Sequence, residues 1–234
     1  MKASKRETDG CKAGNLRLDE NRVAELLDVA TEVFIEHGFE GASTNEIARR
    51  ANCSKTTLYC RFPTKHDLFI AVLERRTEAI FRELFTALPV DGPIEKTLME
   101  FGARVLRIAD ADDQLRLQRV VSMEAERFPE LAHRFYELGP NRVLEELSRY
   151  LKAQIKRGRL IPEDPRMMAE HMAGLITGGD VRWKILGIRC ALCPAENQRR
   201  LQAAVKAFLR AYSAKSPAEG PGIGLRRPKA VGSA

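Results

Sequence analysis

Polar and cationic side chains concentrate between residues 43 and 65 of this 234-residue chain. Two short runs, STNE at 43–46 and SKTT at 54–57, supply amide, hydroxyl and ammonium groups, and Arg61 and Lys65 add two cations. An amide can pair with adenine, an ammonium with O6 or N7 of guanine, and a threonine methyl with thymine. Hydroxyl and cationic groups also bind phosphate. These residue types therefore suit contact with duplex DNA.

The distribution of charge favours phosphate contact through one defined face. The chain carries a net charge of +7, yet residues 19–40 hold seven acidic residues and one arginine, a local charge of −6. Residues 41–66 hold five basic residues and one glutamate, a local charge of +4, and residues 1–17 carry +3. Positive charge thus falls on the polar stretch and on an N-terminal arm. The arm fits a minor-groove contact or a solvated disordered tail equally well.

Apolar spacing predicts a long amphipathic helix before the polar stretch. Its stripe has apolar residues at i, i+4, i+7 and i+11: Val23, Leu27, Ala30 and Phe34. Gly38 follows as a C-terminal signal. Ser43 and Glu46 then have the spacing of a capping box, which predicts that a short second helix begins there.

A tight turn and a third helix are predicted to follow. Asn52 tolerates the left-handed conformation that a tight turn needs. Ser54 can cap a helix from Lys55 to about Arg61, with Leu58 in the core, and Thr64 can cap a long helix after it. One long helix followed by two short helices around a tight turn is the layout of a helix-turn-helix DNA-binding unit.

The run GASTNEIARRANCSKTTLYCRFPTKHDLF resembles the signature of TetR/AcrR-type transcriptional regulators. The resemblance spans about residues 20–80 and joins several spaced elements, so it is more specific than one short motif. Asn52 and Cys53 depart from the family's usual glycine and valine, and Cys60 stands where a larger or basic residue is more usual. The resemblance implies a helix-turn-helix at about 43–62, within a DNA-binding domain at 19–80 that follows a flexible basic arm at 1–18.

The resemblance also implies roles for individual residues. The positions that touch base edges in such regulators are Asn45, Lys55 and Thr56. The phosphate-contacting positions are Thr44, Thr57, Tyr59, Arg61 and Lys65. The first turns near Ser43 and Ser54 add backbone N–H groups suited to phosphate. The alternative is that these polar side chains form only a solvated helix face, and the spacing around the turn disfavours it.

The remaining chain indicates an all-α protein. Glycine and proline separate helical patterns, and no run of β-branched residues alternates with period two. Apolar runs are too short to span a membrane, and five cysteines, an odd number, argue against a secreted disulfide scaffold. We therefore expect a cytoplasmic protein that does not bind membranes. We expect no cofactor and no metal, since the four histidines are scattered and the cysteine pair at 190–193 lacks further ligands.

Six further helical stretches are predicted after the third helix. They cover residues 65–88, 94–109, 112–127, 130–157 with a break at Gly139-Pro140, 165–186 and 195–212. The Asp164-Pro165 pair is a strong start for the fifth of them. We assign 81–212 to a larger helical effector-binding and dimerisation domain and 213–234 to a disordered tail.

The family architecture implies that the last two helices pair with those of a second copy in a homodimer, as a four-helix bundle. The residues that we predict at this interface are apolar or small: Met172, Leu175, Ile176, Gly179, Trp183, Leu201, Val205 and Phe208. The alternative is that these stripes complete the core of a single chain. A pseudo-palindromic double-stranded operator needs a two-fold reader, which favours the dimer.

The run RVVSMEAERFPELAHRFYELGPNRVLEELSRYL resembles the regulatory half of an AefR-like branch of the same family. It implies a pocket for a small-molecule effector of unknown identity. The candidates for its apolar walls are Phe81, Phe85, Phe101, Phe135 and Tyr136. The candidates for its polar groups are Arg104, Arg119, Glu124 and His133. Aromatic residues at helical spacing are more often plain core.

We therefore expect a homodimeric DNA-binding transcriptional regulator, most simply a repressor released from its operator by an effector, and not an enzyme. One alternative is a redox-responsive regulator that acts through Cys53, Cys60 or the pair at 190 and 193. Another is an all-α ligand-binding protein or enzyme whose DNA reader is vestigial. A steep dependence of DNA binding on salt would count against the last alternative.

Overall fold

A computed structural model describes residues 18–84, 88–178, 180–188 and 194–214. Within these ranges the chain is helical, with no strand and one isolated bridge between Leu160 and Ser213. The helices are α1 (Glu20–Gly41), α2 (Thr44–Arg50), α3 (Lys55–Arg61), α4 (Lys65–Leu84), α5 (Ile94–Ala109), α6 (Asp112–Glu124), α7 (Pro129–Leu138), α8 (Pro140–Lys156), α9 (Pro165–Thr177), α10 (Asp180–Ile185) and α11 (Pro194–Tyr212). None of these helices combines the length and apolar character needed to cross a bilayer. The predicted all-α class is confirmed.

An aromatic cluster forms the centre of the N-terminal core. Phe34, from the predicted stripe of α1, is fully buried and meets the ring of Phe69 edge-on at 4.8 Å between centroids. Gly38 has a φ of +71°, which breaks the helix as predicted, and Phe39 after it is buried against the same ring. Burial of one such side chain contributes about 1.5–3 kcal/mol to stability.

The turn between α2 and α3 has the predicted geometry. Asn52 has a φ of +49°, the left-handed conformation expected of it. The backbone N–H of Cys53 donates to the carbonyl of Ala48 at 2.9 Å, and Arg22 of α1 donates to the Asn52 carbonyl at 3.2 Å. Ser54 caps α3 by accepting from the Thr57 backbone N–H at 3.0 Å. Contacts from α1 and α2 thus fix the orientation of α3.

The predicted capping box at the start of α2 is wrong. Ser43 occupies the N-cap position, but its side chain accepts no capping hydrogen bond. Glu46 instead accepts from Arg50 at 2.6 Å, one helical turn along, so its carboxylate is already engaged. A reciprocal cap does form at the start of α4, where Thr64 accepts from the backbone of Asp67 at 3.1 Å and the Asp67 carboxylate accepts from the backbone of Thr64 at 2.9 Å.

The N-terminal core is completed by helices from the larger domain. Leu117 and Val120 of α6 and Leu131 of α7 are buried within the core that α1 to α4 form. Arg134 of α7 also bonds Glu74 of α4. The predicted domain boundary at 80/81 falls inside α4. The two parts of the chain therefore share a helix and a core.

A second core forms where α5, α8, α9 and α11 pack together. Its largest fully buried side chains include Phe101 of α5 and Phe208 of α11. The break that we predicted at Gly139-Pro140 is confirmed, since α7 ends at Leu138 and α8 begins at Pro140. The first stretch after α3, predicted to reach residue 88, is described as a helix only to Leu84.

The helix predicted over 165–186 is two helices. It begins as predicted, because Asp164 caps α9 by accepting from the backbone of Arg166 at 3.0 Å. It ends at Gly178, whose φ of +50° is outside the helical region, and α10 begins at Asp180. The apolar pattern continues across this glycine, which is why the sequence indicated one helix.

Candidate nucleic-acid interface and effector cavity

The first turn of α3 presents its side chains to solvent. Lys55 and Thr56 are exposed. Thr57, a predicted phosphate contact, is only 9% exposed, and its hydroxyl lies 2.7 Å from the Ser54 hydroxyl, within the capping network of α3. The cap fixes the start of α3 and thereby the direction in which Lys55 and Thr56 point.

The start of α2 and the end of α3 meet through a direct hydrogen bond. The hydroxyls of Thr44 and Tyr59, both predicted phosphate contacts, lie 2.9 Å apart. Asn45 is exposed next to this pair, and the ammonium of Lys55 lies 5.8 Å from the centroid of the Tyr59 ring. The fold thus collects four residues that the sequence places in two separate runs.

Lys65 has a structural role that the sequence did not indicate. Its ammonium donates to the carbonyls of Glu40 and Ala42 at 3.0 and 3.4 Å and lies 4.9 Å from the centroid of the Phe39 ring. These contacts tie the start of α4 to the end of α1. Arg61, by contrast, is exposed and contacts only the ring of Phe62 among the described residues.

The cations near α3 differ in their availability to DNA. Arg50 pairs with Glu46 and with Glu36 at 2.9 Å, and these hydrogen bonds raise its pKa and lower that of Glu36. Within the described residues, Arg49, Lys55 and Arg61 form no ion pair. Three uncompensated cations therefore surround the polar surface, and Arg49 was absent from the predicted contacts.

Two cysteines flank this surface. Cys53, in the turn before α3, is a free thiol whose partial burial raises its pKa. Cys60, in the last turn of α3, is disulfide-bonded. The cysteine pair at 190 and 193 lies outside the described residues.

A cavity of about 330 Å³ lies between α4, α5, α6, α8 and the α9–α10 break. Its walls are mainly apolar and include Phe81, Leu84, Val105, Leu117 and Val143. Leu73 and Leu117 line the cavity and also belong to the core of the DNA-binding unit. The cavity is within the size range of ligand pockets.

The predicted pocket residues fall into several environments. Phe81 and Phe135 line the cavity, whereas Phe101 lies within the second core and Phe85 is outside the described residues. Tyr136 is 45% exposed and accepts from Arg166.

The four predicted polar groups do not line this cavity. Arg119 instead donates to the Ile185 carbonyl at 2.7 Å and so holds the end of α10 against α6. Arg104 is half-buried on α5, Glu124 ends α6 and His133 is exposed on α7. The polar residues that do line it among those described are Arg76, Thr77, Gln114, Gln118 and Thr177. They carried no signal in the sequence beyond being polar on an amphipathic helix.

The residues predicted at the dimer interface divide by burial. Those enclosed in the chain's own core are Met172, Ile176, Leu201, Val205 and Phe208. Leu175 and Trp183 are 45% and 38% exposed, and Gly179 lies outside the described residues. Leu175 lines a groove of about 340 Å³ between α9, α10 and α11. The exposed members of the predicted set therefore lie on α9 and α10, and those on α11 are buried in the chain's own core.

The chain matches two family models along most of its length. Residues 26–72 match the model of bacterial regulatory proteins of the tetR family. Residues 96–214, half of the chain, match the C-terminal domain of AefR-like transcriptional repressors. The matched families are transcriptional regulators, not enzymes.

Known relatives and solved structures agree with these matches. The transcriptional activator FasR of Mycolicibacterium smegmatis is 37% identical over 87 residues, which are 37% of this chain and 40% of FasR. A TetR-family regulator from Mesorhizobium loti superposes with a TM-score of 0.77 at 26% identity, over 82% of this chain and 97% of that one. The flavonoid-responsive regulator FrrA superposes with a TM-score of 0.72 at 28% identity, over 85% of this chain and all of its own.

Proposed function

Because the chain belongs to the TetR family of transcriptional regulators, through an AefR-like branch, we propose that it represses transcription as a homodimer. It binds a pseudo-palindromic operator in the cytoplasm. A small molecule releases it by binding in the cavity of about 330 Å³ that Phe81 and Leu117 line, which we call the α4–α6 cavity. The observation that carries this proposal is the polar surface of α2 and α3, which joins exposed base-reading groups to uncompensated cations. The family description names a repressor, whereas FasR is an activator, so the direction of control needs its own test.

The geometry of this surface supports the proposed division between base-contacting and phosphate-contacting residues. Lys55, Thr56 and Asn45 are exposed at helix starts, where they can reach base edges in the major groove. The Thr44–Tyr59 pair stands beside them, and its hydroxyls can bind a phosphate and so set the depth of α3 in the groove. The Ser54 cap fixes the start of α3 in the absence of DNA.

Selection of bound duplexes from a genomic library identifies the operator. Two variants then distinguish recognition of base edges from contact with the phosphate backbone. Lys55→Ala should cost about 1–3 kcal/mol on the selected operator and much less on random duplex. Tyr59→Phe removes only a hydroxyl and should weaken binding to both duplexes alike. Lys152→Ala, at an exposed position on α8, serves as the charge-matched control. Equal losses for Lys55→Ala on both duplexes would contradict the reading role.

The homodimer uses the outer faces of α9 and α11 in this proposal. Small or apolar residues are exposed there: Met167, Gly174 and Leu175 on α9, and Ala203 and Ala207 on α11. Small side chains allow the helices of two copies to approach each other closely. A two-fold pair would then present its α3 helices about 34–36 Å apart, one turn of B-DNA.

The shared core supplies a route from the cavity to the DNA reader. Leu73 of α4 and Leu117 of α6 touch the cavity on one side and the α1–α4 core on the other. A ligand that fits a different α4–α6 arrangement better would shift the population toward that arrangement. Because α4 follows α3 after a three-residue link, its tilt changes the spacing of the two α3 helices.

A reporter with the selected operator downstream of a constitutive promoter tests the direction of control. Expression of the chain should lower the reporter signal, and Lys55→Ala should restore it. Activation of the reporter from an upstream operator, without repression from the downstream one, would contradict the repressor assignment.

The second candidate is redox control through α3. The disulfide of Cys60, in the helix that we propose to enter the groove, favours it, since cytosolic disulfides are usually catalytic or redox-sensing. If this candidate holds, dithiothreitol should change operator affinity in the wild-type chain and leave that of Cys60→Ser unchanged.

A further inference from the structure

We propose that the effector is an apolar carboxylic acid whose carboxylate binds Arg76 at the edge of the α4–α6 cavity. This inference rests on the proposed role of that cavity as the effector site, and it adds the chemical class of the ligand. Three observations carry it: the unsatisfied state of Arg76, the character of the surrounding walls, and the position of Arg76 between α4 and α6.

Arg76 is a cation with an unused buried donor. Its Nε is buried and has no hydrogen-bond partner. Its only ion pair among the described residues joins Nη2 to Asp113 of α6 at 3.4 Å, a long contact to a side chain that is 58% exposed. A buried donor without an acceptor is costly. A carboxylate can accept from Nε and Nη2 together in the bidentate geometry that guanidinium favours.

The walls around Arg76 select an anion with an apolar body. Gln114 and Gln118 of α6 line the same cavity, and their amide groups have no hydrogen-bond partner among the described residues. Among the residues that the structure describes, no acidic side chain lines the cavity. The other walls are aliphatic or aromatic and would bury a hydrocarbon chain or ring. A neutral acceptor would satisfy Nε but leave the guanidinium charge balanced only by the long, exposed contact with Asp113.

The position of Arg76 connects the ligand to the DNA reader. Arg76 belongs to α4, and Asp113 lies in the first turn of α6. A bound carboxylate competes with Asp113 for the same guanidinium, so occupancy loosens a link between these two helices. Ligand recognition and the proposed displacement of α4 then depend on one side chain.

Isothermal titration of the full chain with matched acids and alcohols tests the inference. The probes are decanoate against 1-decanol and 2-naphthoate against 2-naphthol, without DNA and near neutral pH. At least one acid should bind roughly 10-fold or more tightly than its alcohol, as expected for hydrogen bonds to a charged group. Arg76→Gln should reduce this preference to about twofold or less.

Two further variants guard against a folding artefact. Arg75→Gln changes the neighbouring arginine, which pairs with Asp28 of α1 and does not line the cavity, so the preference should persist. Asp113→Asn removes the competitor and should tighten binding of the acid, a gain that misfolding cannot produce.

The inference is overturned if the acids and alcohols bind equally, if neither acid binds, or if Arg76→Gln retains the full preference. The assay contains no DNA, so such a result leaves the operator-binding experiment intact. Conversely, loss of operator recognition would remove the regulatory role and leave the carboxylate site standing.

Discussion

Replacing Gly174 with leucine should stabilise one chain while preventing two chains from pairing. Gly174 is exposed near the end of α9, and a Cβ atom built there meets no atom within 4 Å. Its backbone is not among the positive-φ positions, so a side chain causes no strain. Glycine inside a helix costs about 0.8–1 kcal/mol relative to alanine, and leucine is nearly as favourable as alanine. We expect the separated chain to gain about 0.5–1 kcal/mol.

The same leucine acts in the opposite direction on the proposed dimer. A two-fold interface contains both copies of the substituted residue. Overpacking costs about 1–3 kcal/mol per site, so two sites cost about 2–6 kcal/mol. That loss corresponds to a dissociation constant raised about 30-fold to 10⁴-fold. Gly174→Ala, with one added methyl group, should fall between the wild type and the leucine variant.

Sedimentation equilibrium over a nanomolar-to-micromolar dilution series measures the association. Urea unfolding at the lowest protein concentrations measures the free energy of unfolding of the separated chain. Lys152→Leu places the same side chain on exposed α8 and should leave association unchanged. If Gly174→Leu associates as tightly as the wild type, the second copy does not cover this face of α9.

Four further outcomes follow from individual contacts in the structure. Ser54→Ala removes the α3 cap and should cost about 1 kcal/mol, a fall in Tm of about 2–4 °C by calorimetry, with weaker operator binding. Lys184→Met breaks a buried ion pair with Asp110, 3% and 12% exposed, and should cost about 3–5 kcal/mol in urea unfolding; adding Asp110→Leu should recover part of it. Glu36 has a pKa lowered chiefly by the hydrogen bond from its arginine partner on α2. Its contribution to stability is therefore present at neutral pH and lost on acidification through that lowered pKa, and Glu36→Gln should make stability less pH-dependent in this range. Operator affinity of Cys60→Ser should be the same with and without dithiothreitol, and a persisting difference would remove this cysteine from any redox response.

Features governed by a few neighbouring residues could be predicted from the sequence. Asn52, Ser54 and Asp164 have the predicted roles because each acts on its own backbone within three residues. The break before Pro140 is likewise local, since proline cannot continue the ladder of a preceding helix. The capping box at Ser43 failed for the same kind of reason, because Glu46 had a second local partner one turn away in Arg50.

Features that depend on which helices meet could not be predicted. The stripe of Met172 and Phe208 correctly indicated burial, but periodicity does not say whether a chain's own helices or a second copy covers it. The break at Gly178 lies inside a continuous apolar pattern. The cavity forms where α4 and α6 come together, and these helices are about 40 residues apart in sequence. The sequence alone therefore did not indicate that Arg76 and Leu117 line it.

If the cavity holds the proposed effector, the presence of Leu73 and Leu117 in both the cavity wall and the N-terminal core limits how the protein can acquire new inducers during evolution. A substitution at either position reshapes the cavity and also perturbs the fold of the module that recognises the promoter. Val105, Ile108 and Val143, on the opposite side, belong to α5 and α8 and can change size without that penalty. Paralogues with the same target site and different inducers should therefore diverge first on α5 and α8.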